Sequence, residues 1–289
     1  MRRLTLLFSV AVLTISCVEK PTPEPPPEPT PEKLPIKIST TITRATDTEF
    51  EHGDQVGIYV VNEPASLQPT GNHVDNMCFT YDGSWNSDTP VYWKDKTTKA
   101  DFYCYYPYNS SISDLEAYRF TVNTDQTSED KYKACDFLWG KTEKASPTEN
   151  AVDITVRHLM SNVIIKLVAG NGYKDEDMLN ASVTICGLKT NTLINLTNGT
   201  VTADGGIEDI CPRSENNIRR AIVVPQSLED TDIVKVSIEE KTYILNQSVT
   251  FESGKQHTCT ITVEKTNQGI NIGIGGLKSA DEDFGGTVE

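Results

Sequence analysis

The sequence predicts an all-β protein built as two antiparallel β-sandwiches in tandem. Three observations carry that expectation. Apolar residues recur with period two through most of the body, in runs rich in Val, Ile, Thr and Tyr. Turn-forming pairs punctuate the runs at Asp82-Gly83, Asn171-Gly172, Asn198-Gly199, Asp204-Gly205 and Ser253-Gly254. No long segment carries a helical period. A length of 289 residues with 37% hydrophobic side chains supplies a real core and excludes wholesale disorder. The formal charge of −15 excludes a nucleic-acid partner, because phosphate binding needs clustered Lys and Arg.

From the N-terminus onward each segment has its own logic. Met1-Arg2-Arg3 is a positive start, and residues 4–15 form an uncharged apolar run too short to span a bilayer. Residues 1–16 therefore read as a secretory leader. Its end, Leu13-Thr14-Ile15-Ser16-Cys17, resembles a bacterial lipobox, in which the thiol of Cys17 is acylated and becomes the first mature residue. An ordinary leader followed by an incidental cysteine is the alternative. Residues 17–35 form a Pro/Glu-rich spacer, with eight prolines in residues 21–35. Proline fixes φ and donates no hydrogen bond, so ~15 such residues extend about 45 Å as polyproline and hold a body clear of a surface. A proline-rich ligand for a partner domain is the competing reading.

The body starts at Ile36. Ile36, Ile38, Thr40 and Ile42 alternate with polar residues, and so do Val56, Ile58 and Val60. Phe102, Cys104 and Tyr106 follow, then Phe120 and Val122, then Val152, Ile154 and Val156. The same pattern continues through Val163, Ile165 and Leu167, through Val234, Val236 and Ile238, and through Cys259, Ile261 and Val263. It closes at Ile270, Ile272 and Ile274. About seven strands fall on each side of residue 157, which places one sandwich over residues 36–157 and a second over residues 158–289.

The reactive side chains invite mostly structural readings. Six cysteines follow Cys17, three in each half, so they cannot all pair within the halves. Cys104 and Cys259 take the inward phase of apolar strands, where a thiol acts as a small hydrophobe; one or two disulfides are the alternative. His52, His73, His158 and His257 stand apart, without metal-ligand spacing. No nucleophile elbow or phosphate-cradling glycine loop occurs. Tyr103, Tyr105, Tyr106 and Tyr108 could form a sugar platform, although strand alternation sends at least half of that run into the core. No catalytic residue, metal or cofactor is expected.

A series of short stretches resembles the fimbrillin family of Bacteroidales, the subunits of type V pili. Ile38-Ser39-Thr40-Thr41-Ile42-Thr43-Arg44-Ala45 is similar to the family's first strand and Arg-Ala junction. Phe50-Glu51-His52-Gly53-Asp54-Gln55-Val56-Gly57-Ile58-Tyr59 and Asp136-Phe137-Leu138-Trp139-Gly140 resemble its internal blocks, as do His158-Leu159-Met160-Ser161-Asn162-Val163 and Ser253-Gly254-Lys255-Gln256-His257. Leu277 stands where many members carry Trp, and Val18-Glu19-Lys20 is a poor version of an acidic surface-export signal. The resemblance implies two transthyretin-like sandwiches exported to the outer membrane as a lipoprotein. It implies cleavage between Arg44 and Ala45 by a processing protease, which removes the first strand, residues 36–43, together with Arg44. It further implies a donor segment around Ile270, Ile272 and Ile274 that fills the opened groove of another subunit. The expected function is a structural and adhesive pilus subunit whose partners are other subunits and a surface ligand. A lipid-anchored glycan-binding protein is the runner-up.

Overall fold

The structure is a computed structural model that describes residues 33–42 and 49–265, and the backbone of residues 272–283. In chain order the elements are β1 (Lys37–Ile42), β2 (Gln55–Asn62), β3 (Val74–Tyr81), β4 (Trp85–Asn86), β5 (Ala100–Tyr106) and β6 (Tyr118–Thr121). A short helix α1 (Glu129–Lys133) precedes β7 (Leu138–Ala145), β8 (Ala151–His158) and β9 (Ser161–Ala169). After α2 (Asp175–Asn180) come β10 (Ser182–Asn195), β11 (Thr200–Ile210), β12 (Arg213–Glu215) and β13 (Ile218–Val223). The last strands are β14 (Gln226–Ile238), β15 (Lys241–Phe251), β16 (Lys255–Val263) and β17 (Ile272–Asp283). The predominantly all-β class is as the period-two pattern requires.

The first half forms one seven-stranded sheet in the order β1-β8-β7-β5-β2-β3-β4. Its two ends meet. Trp85 on β4 donates its indole N–H to the Thr40 hydroxyl on β1 at 2.9 Å. Beside it, Trp93 N–H donates to Leu34 O and Ile36 N–H to Val91 O, both at 2.9 Å. The sheet is therefore a nearly closed barrel around Ile36, Ile38, Ile58, Phe102, Leu138 and Ile154, all buried. Closure leaves few unpaired backbone groups at the sheet ends.

The second half has two five-stranded sheets, and their residues share one core. One runs β11-β10-β14-β15 with β6 added against β10, and the other runs β12-β13-β9-β16-β17. The strand β6 comes from before residue 157 yet pairs Phe120 with Thr192, so the first half of the chain contributes a strand to a sheet of the second. Tyr59, Tyr103 and Tyr105, on the face of β2 and β5 turned away from the barrel interior, also join this second core. Both strands are thus covered on both faces, which explains the unbroken apolar run Val56-Gly57-Ile58-Tyr59-Val60-Val61. Gly57 is required there: a Cβ would sit 2.1 Å from the Tyr105 ring.

Two strand pairs depart from the expected antiparallel arrangement. β1 runs parallel to β8, and β9 runs parallel to β16. Each pair joins strands far apart in sequence, where no hairpin turn dictates an antiparallel return. Alternation reports which residues face inward but carries no strand direction.

Candidate functional site at the first strand

The strand β1 is the element on which the sequence expectations converge, and its residues explain its conformation. Leu34, Ile36, Ile38 and Ile42 recur at period two and pack into the barrel core, with Ile36 and Ile38 buried. Lys37, Ser39 and Thr41 occupy the alternate, outward positions. The β-branched run Ile38-Ser39-Thr40-Thr41-Ile42 suits an extended, half-buried strand.

On one edge β1 is held by the backbone of β8 in a register that pairs Ile38 with Val152 and Ile42 with Val156. Side chains reinforce the register. Ser39 and Thr41 hydroxyls both donate to Asp153 Oδ1 at 3.1 Å, and Lys37 Nζ donates to Glu149 O at 3.1 Å. On the other edge stands the Trp85–Thr40 hydrogen bond. Trp85 is buried, packed at 4.9 Å against Phe50 and at 5.1 Å against Tyr81. β1 is thus a terminal stave: its inner face completes a core, one full ladder joins it to β8, and on the other edge Leu34 and Ile36, just before it, bond to the backbone of Trp93 and Val91.

Ile42, at the end of β1, and Glu49 line the same cleft of about 700 Å³. Its rim is a chain of ion pairs. Lys133 Nζ lies 2.5 Å from Glu51 and 3.2 Å from Glu129, and Glu129 lies 3.4 Å from Arg213. The Glu51 carboxylate raises the Lys133 pKa. These pairs are well exposed, and each contributes about 0–1 kcal/mol. Deeper in, the Tyr106 hydroxyl donates to Asp54 at 3.1 Å, and burial together with that carboxylate pushes the phenol pKa up. Asp136 and His158 form a buried pair at 2.7 Å, and Asp136 also accepts the Phe137 N–H at 2.8 Å. The ion pairs Lys133–Glu51, Lys133–Glu129 and Arg213–Glu129, with Arg220–Glu215, tie chain segments together across the cleft.

The predicted site residues fall in different places. Cys17, Arg44, Ala45 and Ile270 lie outside the described residues. Ile272 and Ile274 lie on β17, registered opposite Val263 and Ile261 of β16. β1 and β17 belong to different sheets. None of Cys78, Cys104, Cys135, Cys186, Cys211 and Cys259 forms a disulfide, and burial pushes Cys259 up to about 11. Tyr103 and Tyr105 are buried, so that aromatic run is core and offers no open platform. His257 is buried and accepts the Glu252 N–H on Nε2 at 3.1 Å; its pKa is lowered, chiefly by burial. Among the described residues no group of three or more His, Cys, Asp or Glu could hold a metal ion, and no helix is long and apolar enough to cross a membrane. Two contributors escaped the sequence reading, Trp85 and Asp153. Asp153 holds a polar position in the alternating run Val152-Asp153-Ile154, which marks it as outward but not as the partner of Ser39 and Thr41.

The profile of a family described as fimbrillin-like matches residues 43–275. A protein of Bacteroides ovatus, described as a candidate fimbrium tip subunit, is 31% identical over 143 residues, covering 43% of this chain and 26% of that relative. The matched stretch is thus about a quarter of that relative's length. A candidate fimbrium subunit of Bacteroides uniformis is 26% identical over 239 residues, covering 77% of each chain. Among solved structures, a candidate cell adhesion protein from Bacteroides ovatus superposes with a TM-score of 0.70 at 22% identity, covering 89% of this chain and 99% of that one. At that identity the likeness establishes the fold alone.

Proposed function

The chain belongs to the fimbrillin-like family, and we propose that it is a structural and adhesive subunit of a bacterial surface fimbrium, joined to its neighbours by exchange of the first strand. Members of such a family serve as building material, not as catalysts. The observation that carries the exchange reading is the position of β1. It is a terminal stave with one ladder, its apolar face is in the core, and the next residues of the chain contain Arg44-Ala45.

In this reading the chain crosses the envelope as a lipoprotein acylated at Cys17, with residues 17–35 as spacer. A protease cuts between Arg44 and Ala45, and the freed β1 departs. Removal opens a groove along the edge of β8, with unpaired backbone groups and the pockets that held Ile36 and Ile38. An extended segment from a neighbouring subunit enters by strand addition. Because the contact is head to tail and does not close on itself, it propagates as a fibre. The segment around Ile270, Ile272 and Ile274 is the proposed donor to the next subunit. The finer architecture, transthyretin-like sandwiches over residues 36–157 and 158–289, is part of the same proposal. The facing five-stranded sheets support it in the second half.

Sequencing of the mature N-terminus from the cell surface tests the reading. Ala45 at the start supports exchange, whereas acylated Cys17 as the sole start indicates a permanently anchored protein and favours a glycan-binding role. Arg44→Ala should give folded monomers and no high-mass ladder on unheated gels. A variant that polymerises like wild type overturns exchange at this junction.

A further inference from the structure

We infer that the groove left by β1 selects its incoming strand by hydrogen bonding: it takes a segment of a different subunit that carries a Ser or Thr where Thr40 stood, in preference to this chain's own C-terminal segment. The inference rests on the strand-exchange reading above and specifies the partner for the same site.

Besides main-chain groups, which any strand can satisfy, the departing strand leaves two polar side chains behind. Trp85 Nε1 gives its hydrogen bond to Thr40 Oγ1, at 2.9 Å, and Trp85 is only 8% exposed. Without an acceptor that N–H remains in a largely apolar setting beside Phe50 and Tyr81, which is costly for a donor. Asp153 Oδ1 loses both the Ser39 and the Thr41 hydroxyl. It faces solvent, so water replaces those bonds at little cost. The apolar pockets accept any aliphatic strand and discriminate weakly among them. Trp85 therefore sets specificity, and Asp153 adds a small increment.

A fitting strand places aliphatic residues at the positions of Leu34, Ile36 and Ile38 and a short acceptor at the next inward position. The chain's own Ile270, Ile272 and Ile274 can occupy those three positions in two directions only. Running parallel to β8, the segment brings Gly276 to the Trp85 position, which offers no side-chain acceptor. Running antiparallel, it brings Gln268, a longer amide in the space of a threonine. Neither is a hydroxyl. A strand from another subunit, with Ser or Thr at this point, satisfies both the pockets and the indole.

The test uses the mature chain, residues 17–289, nicked after Arg44 by an Arg-specific protease. A fluorescent peptide of residues 33–43 is then exchanged into it. Unlabelled competitors are the native peptide, its Thr40→Val variant, its Ser39→Ala/Thr41→Ala variant, and a peptide of residues 266–278. Valine keeps the shape of threonine and removes the acceptor. The Val peptide should compete about tenfold less well than native, as expected for one unsatisfied buried donor. The double-alanine peptide should lose no more than about threefold, as befits exposed bonds. The C-terminal peptide should compete at least as poorly as the Val peptide. In a Trp85→Phe acceptor, which lacks the N–H, the difference between native and Val peptides should vanish. Native and Val peptides within twofold of each other, a C-terminal peptide that matches native, or a Thr–Val difference that survives in Trp85→Phe each overturn the inference and leave exchange standing. Failure of every peptide to enter the groove overturns the exchange reading itself, and this inference with it.

Discussion

Ile38→Ala in the mature, unprocessed chain separates a strand that merely belongs to the fold from one that belongs to it only until processing. Ile38 is 5% exposed, faces the barrel core, and pairs with Val152 of β8. Loss of three buried carbons at such a site costs about 2–4 kcal/mol, toward the lower part of the range for large-to-small core changes because a terminal stave can partly collapse. For a folded unit of this size each kcal/mol moves the midpoint by roughly 2–4 °C, so the unprocessed form should melt about 5–15 °C lower. Scanning calorimetry or circular dichroism on the uncut chain measures this. On the exchange reading residue 38 departs with β1, and the same change should then leave the assembled fibre untouched. Fibres from wild-type and Ile38→Ala chains should dissociate at the same temperature on unheated and graded-heat gels. An unprocessed midpoint within about 2 °C of wild type would show that β1 is not part of the core. A fibre weakened in step with the monomer would show that β1 stays in the assembled subunit, and the exchange mechanism would fail.

Three further changes probe the second half and its tail. Arg219 is buried, and its guanidinium donates to the carbonyls of Met178, Leu179 and Ala181 at the end of α2 as well as to Asn216 and Ile218; Arg219→Met should cost about 3–5 kcal/mol by orphaning buried acceptors, and a calorimetric midpoint unchanged within error would refute that role. Burial of His257 disfavours its charged form, so its folded pKa lies below the unfolded value of 6.5. The unfolded chain then binds the extra proton first, and this contribution to stability is complete above pH 6.5 and declines as pH falls below it. His257→Gln should abolish the part of the midpoint drop between pH 7 and 5.5 that is due to this residue, and equal drops in both proteins would refute the assignment. Ile272→Asp should yield a cooperatively melting monomer that cannot assemble if the segment is a donor; a variant that assembles as well as wild type would eliminate that role, and one that fails to fold would assign the residue to its own sheet beside β16.

Much of this protein could be read from residue order alone, because the relevant physics is local. Alternation at Ile36, Ile38 and Ile42 assigns a strand and its buried face without a partner in view, since successive strand side chains point to opposite sides. The same rule sent Phe102 and Cys104 one way and Tyr103 and Tyr105 the other, and both faces of β5 proved buried, each in a different core. Three thiols per half and the apolar setting of Cys104 and Cys259 favoured core thiols and left one or two disulfides open; among the six cysteines after Cys17 the structure has none. Partners and directions were beyond reach. Period two is identical for parallel and antiparallel strands, so the parallel pairings of β1 with β8 and β9 with β16 had no signal. The closure of the first sheet brings Trp85 to Thr40 across 45 residues of chain and Val91 and Trp93 to Ile36 and Leu34, and the register of Ser39 and Thr41 on Asp153 spans more than a hundred. Such contacts arise from the packing of whole sheets, which no short stretch of sequence encodes. Residue order determined that the first strand is apolar on one side and polar on the other; the tertiary structure decided that it is the terminal stave of a nearly closed barrel, joined by a full ladder to β8 and across the seam by the Trp85 indole and two main-chain bonds to Val91 and Trp93.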